Sequence, residues 1–235
     1  MYTLRVYQFL TKKELFAAWD GGFFVDQSPR LKSSQDAFIV AWIGNLRDTK
    51  IAEIGGGHSR VLPRLAKSNE CWNIDPFEGV GQGPTVPIEQ ENIKIVRAEV
   101  GSFSDKLPSN YFDIVFSVSV VEHVATQHLQ SFFQDVERVL VGGGETIHAI
   151  DAYLGDAPIG KGIDRYLEAV LMGTSVLEPL AGASSLAMAN FHPSYVTDPD
   201  LNMWKRNKLV PRLTEKRNTH QCVSLCAGWK KSHES

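Results

Sequence analysis

The segment Ile51-Ala52-Glu53-Ile54-Gly55-Gly56-Gly57-His58-Ser59-Arg60 constrains the fold more than any other, because an apolar run breaks into three glycines and restarts with helix-like spacing. It reads as strand, tight turn and helix N-terminus. Three consecutive glycines place no Cβ in the way, so a ligand can lie on bare backbone while the following helix offers unpaired N–H groups and the positive end of its dipole. Nucleotide-like ligands use that geometry. The dinucleotide fingerprint asks for glycines at the first, third and sixth places, the last so that helix and strand pack closely. Here the sixth place is Arg60, which counts against a nicotinamide-dependent oxidoreductase.

Strand and helix patterns alternate around this turn. A strand is predicted at about 50 to 54, then a helix carrying Val61, Leu62 and Leu65, with Pro63 tolerated near its first turn. Cys71 to Asp75 reads as the second strand and Ile93 to Arg97 as the third. Between them Gly79, Gly81, Gly83, Pro84 and Pro87 predict a loop instead of a helix, read as an ornament in preference to an edge of the site. Tyr111 to Ser117 forms the fourth strand, and a helix with Phe132, Phe133, Val136, Val139 and Leu140 on one face is stopped by Gly142-Gly143-Gly144. The fifth strand runs from near Thr146 to Asp151, and the final one from Cys222 to Trp229.

The first 48 residues read as helical pieces, with Thr11 as a cap, a Gly21-Gly22 break, and a second helix from Ser33 to Gly44. Ser33 or Ser34 would cap that helix, and Phe38, Ile39, Trp42 and Ile43 would pack on the sheet. Residues 152 to 215 show no clear alternation beyond a helix from Asp164 to Leu171 and an Ala-, Ser- and Leu-rich stretch. The expectation is one doubly wound α/β domain. Its parts are a helical lid (1–48), a ligand-binding core (49–151), a substrate-side insertion (152–215), and a final strand and tail (216–235).

Composition bounds the partners. With 235 residues, 43% of them apolar, the chain can bury one sizeable core, and a formal net charge of −3 provides no long-range attraction to nucleic acid or anionic lipid. The N-terminus lacks the apolar core and cleavage site of a leader, no apolar run reaches membrane-spanning length, and three cysteines do not make a disulfide framework. A cytoplasmic protein with reduced thiols is expected. His220, Cys222 and Cys226 do not suggest a metal site, since two cysteines four apart on a strand lie roughly 13 Å from each other. The basic cluster Lys205, Arg206, Lys208, Arg212, Lys216 and Arg217 reads as a solvated face, with only Trp204 nearby as an aromatic platform.

Glu53-Ile54-Gly55-Gly56-Gly57 resembles the first motif of class I S-adenosylmethionine-dependent methyltransferases, and Asp75, 22 residues after Glu53, resembles their second. Leu107-Pro108 followed by Phe112-Asp113 and an apolar strand is similar to the family's entry into strand four, and Glu122-His123 to the loop that follows it in small-molecule members of the methyltransferase type 11 group. The resemblance covers residues 49 to 151. It implies a Rossmann-like domain with a mostly parallel seven-stranded sheet, S-adenosylmethionine as methyl donor and S-adenosylhomocysteine as product. Glu53, Gly55, Gly56 and Gly57 would then bind the cofactor, and Asp75 with Pro76 would meet the ribose, a carboxylate being able to accept from both hydroxyls. Glu99, Val100 and Ser102 would border the adenine, and Ser117 and Ser119 would follow strand four.

The implied acceptor is a small molecule, read as a hydroxyl of a sugar or secondary metabolite, with His123 first and Asp151 second as its base. Each has a plainer reading. Glu122 and His123 can brace the next helix, and Asp151 can bond loop N–H groups. His148 reads as a hydrogen-bonded interior residue, whereas His192 faces either substrate or solvent. Ser117-Val118-Ser119-Val120 stands where base-amino methyltransferases carry an Asn- or Asp-Pro-Pro-aromatic turn, which disfavours adenine or cytosine amino methylation. An RNA or protein methyltransferase, or a non-catalytic cofactor-binding module serving a partner, stays as an alternative.

Overall fold

The structure is a computed structural model that describes residues 7–28, 30–79, 83–155, 163–180 and 220–233. Most of the substrate-side insertion, His192 and the basic cluster of 205–217 lie outside the described residues.

Eight strands and five α-helices follow in chain order: β1 (Gln8–Phe9), α1 (Lys12–Asp20), α2 (Leu31–Ile43), β2 (Lys50–Ile54), α3 (Leu62–Leu65), β3 (Glu70–Ile74), β4 (Ile93–Val96), β5 (Phe112–Val118), α4 (Leu129–Val139), β6 (Leu140–Gly155), α5 (Ile163–Val176), β7 (Glu178–Pro179) and β8 (His220–Lys230). The sheet runs β1-β8-β6-β5-β2-β3-β4, with β7 also paired to β8. Strands β4, β3, β2, β5 and β6 are parallel, whereas β8 pairs antiparallel with β6, β1 and β7. Chain order reverses between β2 and β5, which is where an open α/β sheet leaves a crevice beyond its strand ends.

The central strands read as near-continuous apolar runs because helices cover both faces of the sheet. Ile51, Ala52, Val115, Phe116, Ile147 and Ala149 are all fully buried. Helix α4 turns Leu129, Phe132, Phe133, Val136 and Val139 to the interior, the single-face periodicity legible in its sequence. Helix α1 starts with a reciprocal cap in which Thr11 Oγ1 accepts from the Glu14 N–H at 3.2 Å and Glu14 Oε2 accepts from the Thr11 N–H at 2.9 Å.

Several expectations need correction. Helix α2 begins at Leu31, so Ser33 and Ser34 lie inside it. Their hydroxyls, bonded to Asp26 and to the Arg30 carbonyl, do not cap the helix. The N-terminal stretch is not wholly helical, because β1 occupies the sheet edge beside β8. Gly142 to Gly144 do not stop α4 either, since β6 starts directly after Val139. They form an irregularity in which Leu140 pairs with Phe112 and Glu145 already with Ile114. A Cβ on Gly144 would lie 3.0 to 3.2 Å from three backbone carbonyls, so a side chain there would crowd that fold-back.

Candidate active site

Strand β2 ends at Ile54, and the chain turns sharply through Gly55 (φ +65°) and Gly57 (φ +52°), values that favour glycine. The turn is clamped from three sides. A Cβ on Gly55 would sit 2.6 Å from Val120 beyond β5, one on Gly56 would sit 2.6 Å from Asn73 Oδ1, and one on Gly57 would sit 2.9 Å from Pro84. The Asn73 amide donates to the Gly57 carbonyl at 2.8 Å. The Asn73 Oδ1 atom is buried without a partner among the described residues.

Asp75 follows β3 and meets this turn. Its Oδ2 accepts from the Gly57 N–H at 2.9 Å and its Oδ1 from the Phe77 N–H at 2.6 Å. A carboxylate oxygen has two lone-pair sites, so each oxygen keeps one for a ligand hydroxyl. Pro76 is half-buried beside it. Glu53 is buried under the turn, where its Oε2 accepts from the Ser59 hydroxyl. Burial pushes the Glu53 carboxyl up to about 7 against the lowering effect of that hydrogen bond.

The crossover after β3 is a border of this turn and not an ornament. Besides Pro84 against Gly57, the Gln90 amide donates to the Ser59 carbonyl at 2.8 Å. Arg60 has a purpose that its place in a glycine fingerprint hides. Its Nε and Nη2 bond the two carboxylate oxygens of Asp36 at 2.7 and 2.8 Å, fastening the turn to α2. Burial raises the Asp36 carboxyl, and Arg60 opposes that rise.

The loop after β4 is tied to α4, as the N–H groups of Gly101 and Phe103 donate to Asp135 Oδ2 at 2.7 and 3.1 Å. Glu99 and Ser102 are exposed on it and Val100 is half-buried. The Ser102 hydroxyl is bonded to the Glu99 carbonyl at 2.6 Å.

Beyond β5 and β6 lies a second polar cluster. Ser119, at φ +57°, turns its hydroxyl to Gln35 Oε1 at 2.9 Å and to Asp151 Oδ1. The Gln35 amide donates to Asp151 Oδ1 at 2.8 Å and to Ser224 Oγ at 3.0 Å. Lys32 Nζ stands 3.7 Å from Asp151 Oδ2. His123 sits in a 3₁₀ turn (Val121–His123) with a third of its side chain exposed and Nε2 3.9 Å from Glu122 Oε1.

The Ser117 side chain, expected at the cofactor, is directed into the core. It is fully buried, and its hydroxyl is 2.7 Å from His148 Nδ1 while Thr146 Oγ1 holds the other ring nitrogen at 2.9 Å. Burial holds the His148 imidazole down to about 3, the neutral interior histidine that the sequence suggested. Cys71, Cys222 and Cys226 are buried, and none of them forms a disulfide.

Thus the structure brings Glu53, Gly55 to Gly57 and Asp75 together, and joins Ser119 to Asp151. Gln35, Asp36 and Asn73 were missed by sequence reasoning. Their signal was a polar side chain within an apolar element: Gln35 and Asp36 near the head of a helix read for its serine cap and apolar spacing, and Asn73 inside the run Cys71-Trp72-Asn73-Ile74.

Residues 52–148 match a family model described as a methyltransferase domain. No curated protein matches the chain. Among solved structures, phosphoethanolamine N-methyltransferase 2 of Haemonchus contortus, in complex with phosphomonomethylethanolamine and S-adenosylhomocysteine, is 11% identical with a TM-score of 0.52 over 95% of this chain and 58% of its own. A SAM-dependent methyltransferase from Aquifex aeolicus is 13% identical with a TM-score of 0.50 over 92% and 98% of the two chains. Phosphoethanolamine N-methyltransferase 1 of Haemonchus contortus is 15% identical with a TM-score of 0.41, over 63% of this chain and a third (33%) of its own. At such identities the likeness is one of fold. The glycine turn clasped to Asp75 and the strand reversal beside it both fall within the matched segment: residues 52–148 of this chain match a methyltransferase domain and carry its Rossmann-like fold.

Proposed function

We propose that the protein transfers the methyl group of S-adenosylmethionine to a small-molecule hydroxyl, of the kind found on a sugar or secondary metabolite, with Asp151 taking the hydroxyl proton. The residues present fit the cofactor. Gly55 to Gly57 offer bare backbone, and Asp75 keeps lone pairs for two ribose hydroxyls. The buried Asn73 Oδ1 leaves an acceptor beside Gly56. Glu53 braces the turn from below through Ser59, and the exposed Glu99 and Ser102 border the adenine end. The cofactor supplies a methyl group already activated on a sulfonium, so the chain's own work is alignment and proton management.

The observation that carries the reading is the position of Asp151. It lies on β6 two residues past Ala149, the last residue paired with β5, and one of its oxygens is tied down by Gln35 and Ser119 while the other faces the half-exposed Lys32. A base held in one orientation at the strand ends suits a hydroxyl acceptor. His123, on the turn after β5, is the second candidate base. The three buried cysteines, none of them in a disulfide, support a reducing, cytoplasmic setting.

The test is release of S-adenosylhomocysteine by the purified chain across a panel of phenols, sugar alcohols, thiols and primary amines. Turnover with hydroxyl acceptors, lost in Asp151→Asn with cofactor affinity retained, is expected. Turnover with amines alone would overturn the hydroxyl reading. If Asp151→Asn leaves turnover intact while His123→Gln abolishes it, the base is His123.

A further inference from the structure

Helix α2 carries four consecutive polar residues, Ser33, Ser34, Gln35 and Asp36, all buried. Burying polar side chains in a helix that is otherwise core needs compensation by hydrogen bonds. Asp36 finds it in Arg60 of the glycine turn. Gln35, fully buried, spends its amide differently. Both N–H groups of Nε2 are used, one on Asp151 Oδ1 and one on Ser224 Oγ, and Oε1 lies within reach of the Ser119 hydroxyl.

Ser119 has one hydroxyl proton and two acceptors around it, Gln35 Oε1 and Asp151 Oδ1. Whichever it serves, Asp151 Oδ1 always holds the Gln35 amide proton, because an amide does not titrate and cannot compete for a proton. We propose that Gln35 is the positioning residue of the acceptor site. It occupies Oδ1 of Asp151 as a fixed donor, so that Oδ2 is the oxygen left to take the acceptor's proton. This rests on the reading of Asp151 as the base.

Two features separate this from a merely structural hydrogen bond. The donors come from two separate elements, α2 and the residue just past β5, and they converge on one oxygen of a carboxylate on β6 that is not itself sealed in the core (side chain 12% exposed). In addition, Lys32 Nζ, from the same helix, stands 3.7 Å from the other oxygen, Oδ2. Helix α2 thus brings both a fixed donor and a cation to that carboxylate, and Ser224 of β8 receives the second Gln35 N–H.

The experiment needs no acceptor. The side-chain carboxyl carbon of Asp151 is followed by NMR through a pH titration of the full chain with S-adenosylhomocysteine present, its signal being assigned by its loss in Asp151→Asn. Removing a donor from a carboxylate disfavours the ionised form, so the transition in Gln35→Met is expected at a pH at least half a unit above that of the parent protein. Gln35→Glu, isosteric and placing a second carboxyl against the first, is expected to move it further the same way, and it decides the matter if the Met variant does not fold. A transition unmoved in the folded variants overturns the proposal. Failure of the underlying reading looks different: the transition shifts as expected, yet Asp151→Asn keeps full turnover in the acceptor screen.

Discussion

Asp75 shows how much one residue can settle at this site. Its two carboxylate oxygens hold the Gly57 and Phe77 N–H groups, so it fixes the glycine turn and the start of the crossover before it meets any ligand. Hydrogen bonds to a charged group contribute about 1.5–3 kcal/mol each. Asp75→Ala is therefore expected to weaken S-adenosylhomocysteine binding at least ~10-fold by calorimetric titration, while Asp75→Asn, which keeps an acceptor for one of the two N–H groups, weakens it less. Equal affinity in Asp75→Ala and the parent chain would remove this residue from the cofactor site. The place of Asp75 at the end of β3 was legible in the sequence, because a carboxylate closing an apolar strand is a local pattern. Gln35 and Asn73 were not, since the partners that explain Gln35 lie as far as 189 residues away and no local window contains both ends of such a bond. Ser117 failed for a related reason: the sequence places it at a strand end, but its side chain turns to the His148 ring of the neighbouring strand β6, 31 residues away.

At the scale of elements, α2 is the piece whose importance the sequence understated. Its apolar face predicted packing on the sheet, and it does pack there, with Phe38, Ile39, Val40 and Ile43 buried. Its polar half instead links the glycine turn, through Asp36 and Arg60, to the end of β6, through Gln35 and Asp151. The strands were the more readable elements: the expected limits of β2, β3, β4 and β5 fall within a residue or so of those observed, because apolar runs bounded by turn residues are local signals. The Gly- and Pro-rich crossover was read correctly as lacking a helix, but its contact with Gly57 and Ser59 was not foreseeable from composition. The Asp36–Arg60 pair gives this linkage a measurable strength. Arg60→Ala leaves the Asp36 carboxylate, whose side chain is 2% exposed, without its cation, and because the Arg60 side chain is 46% exposed water can partly replace it. The expected loss in urea unfolding is about 1–3 kcal/mol, below that of a fully sealed pair. A double variant, Asp36→Asn with Arg60→Ala, is expected to recover part of it, and a single variant with no loss would mean that α2 is held without this pair.

For the whole molecule, two buried titratable groups within the sheet impose opposite pH dependences on stability. Glu53, below the glycine turn, has a carboxyl raised from 4.5 to about 7. The folded state then holds a proton that the unfolded chain has released, so its contribution is present below pH 4.5 and is lost as the pH rises to about 7. The full loss is on the order of 3 kcal/mol, because each pH unit between the two values corresponds to about 1.4 kcal/mol. His148, between Ser117 and Thr146, is lowered from 6.5 to about 3, and the sign reverses. The unfolded chain takes up a proton that the folded state refuses, so stability is present above pH 6.5 and is lost as the pH falls toward 3. Between pH 4.5 and 6.5 the two slopes oppose each other, and these groups together leave stability nearly level there. Urea unfolding of Glu53→Gln and His148→Gln at pH 4, 5.5 and 8 separates them. Relative to the parent, Glu53→Gln is expected to gain stability as the pH rises, with the larger part of the gain between pH 5.5 and 8. His148→Gln should gain as the pH drops from 5.5 to 4, because it carries no proton uptake on unfolding. Stability that falls equally steeply between pH 5.5 and 8 in the parent and in Glu53→Gln would show that Glu53 is not the group responsible. The glycine turn would then sit on a carboxylate already ionised at neutral pH, which changes the charge presented beneath the turn.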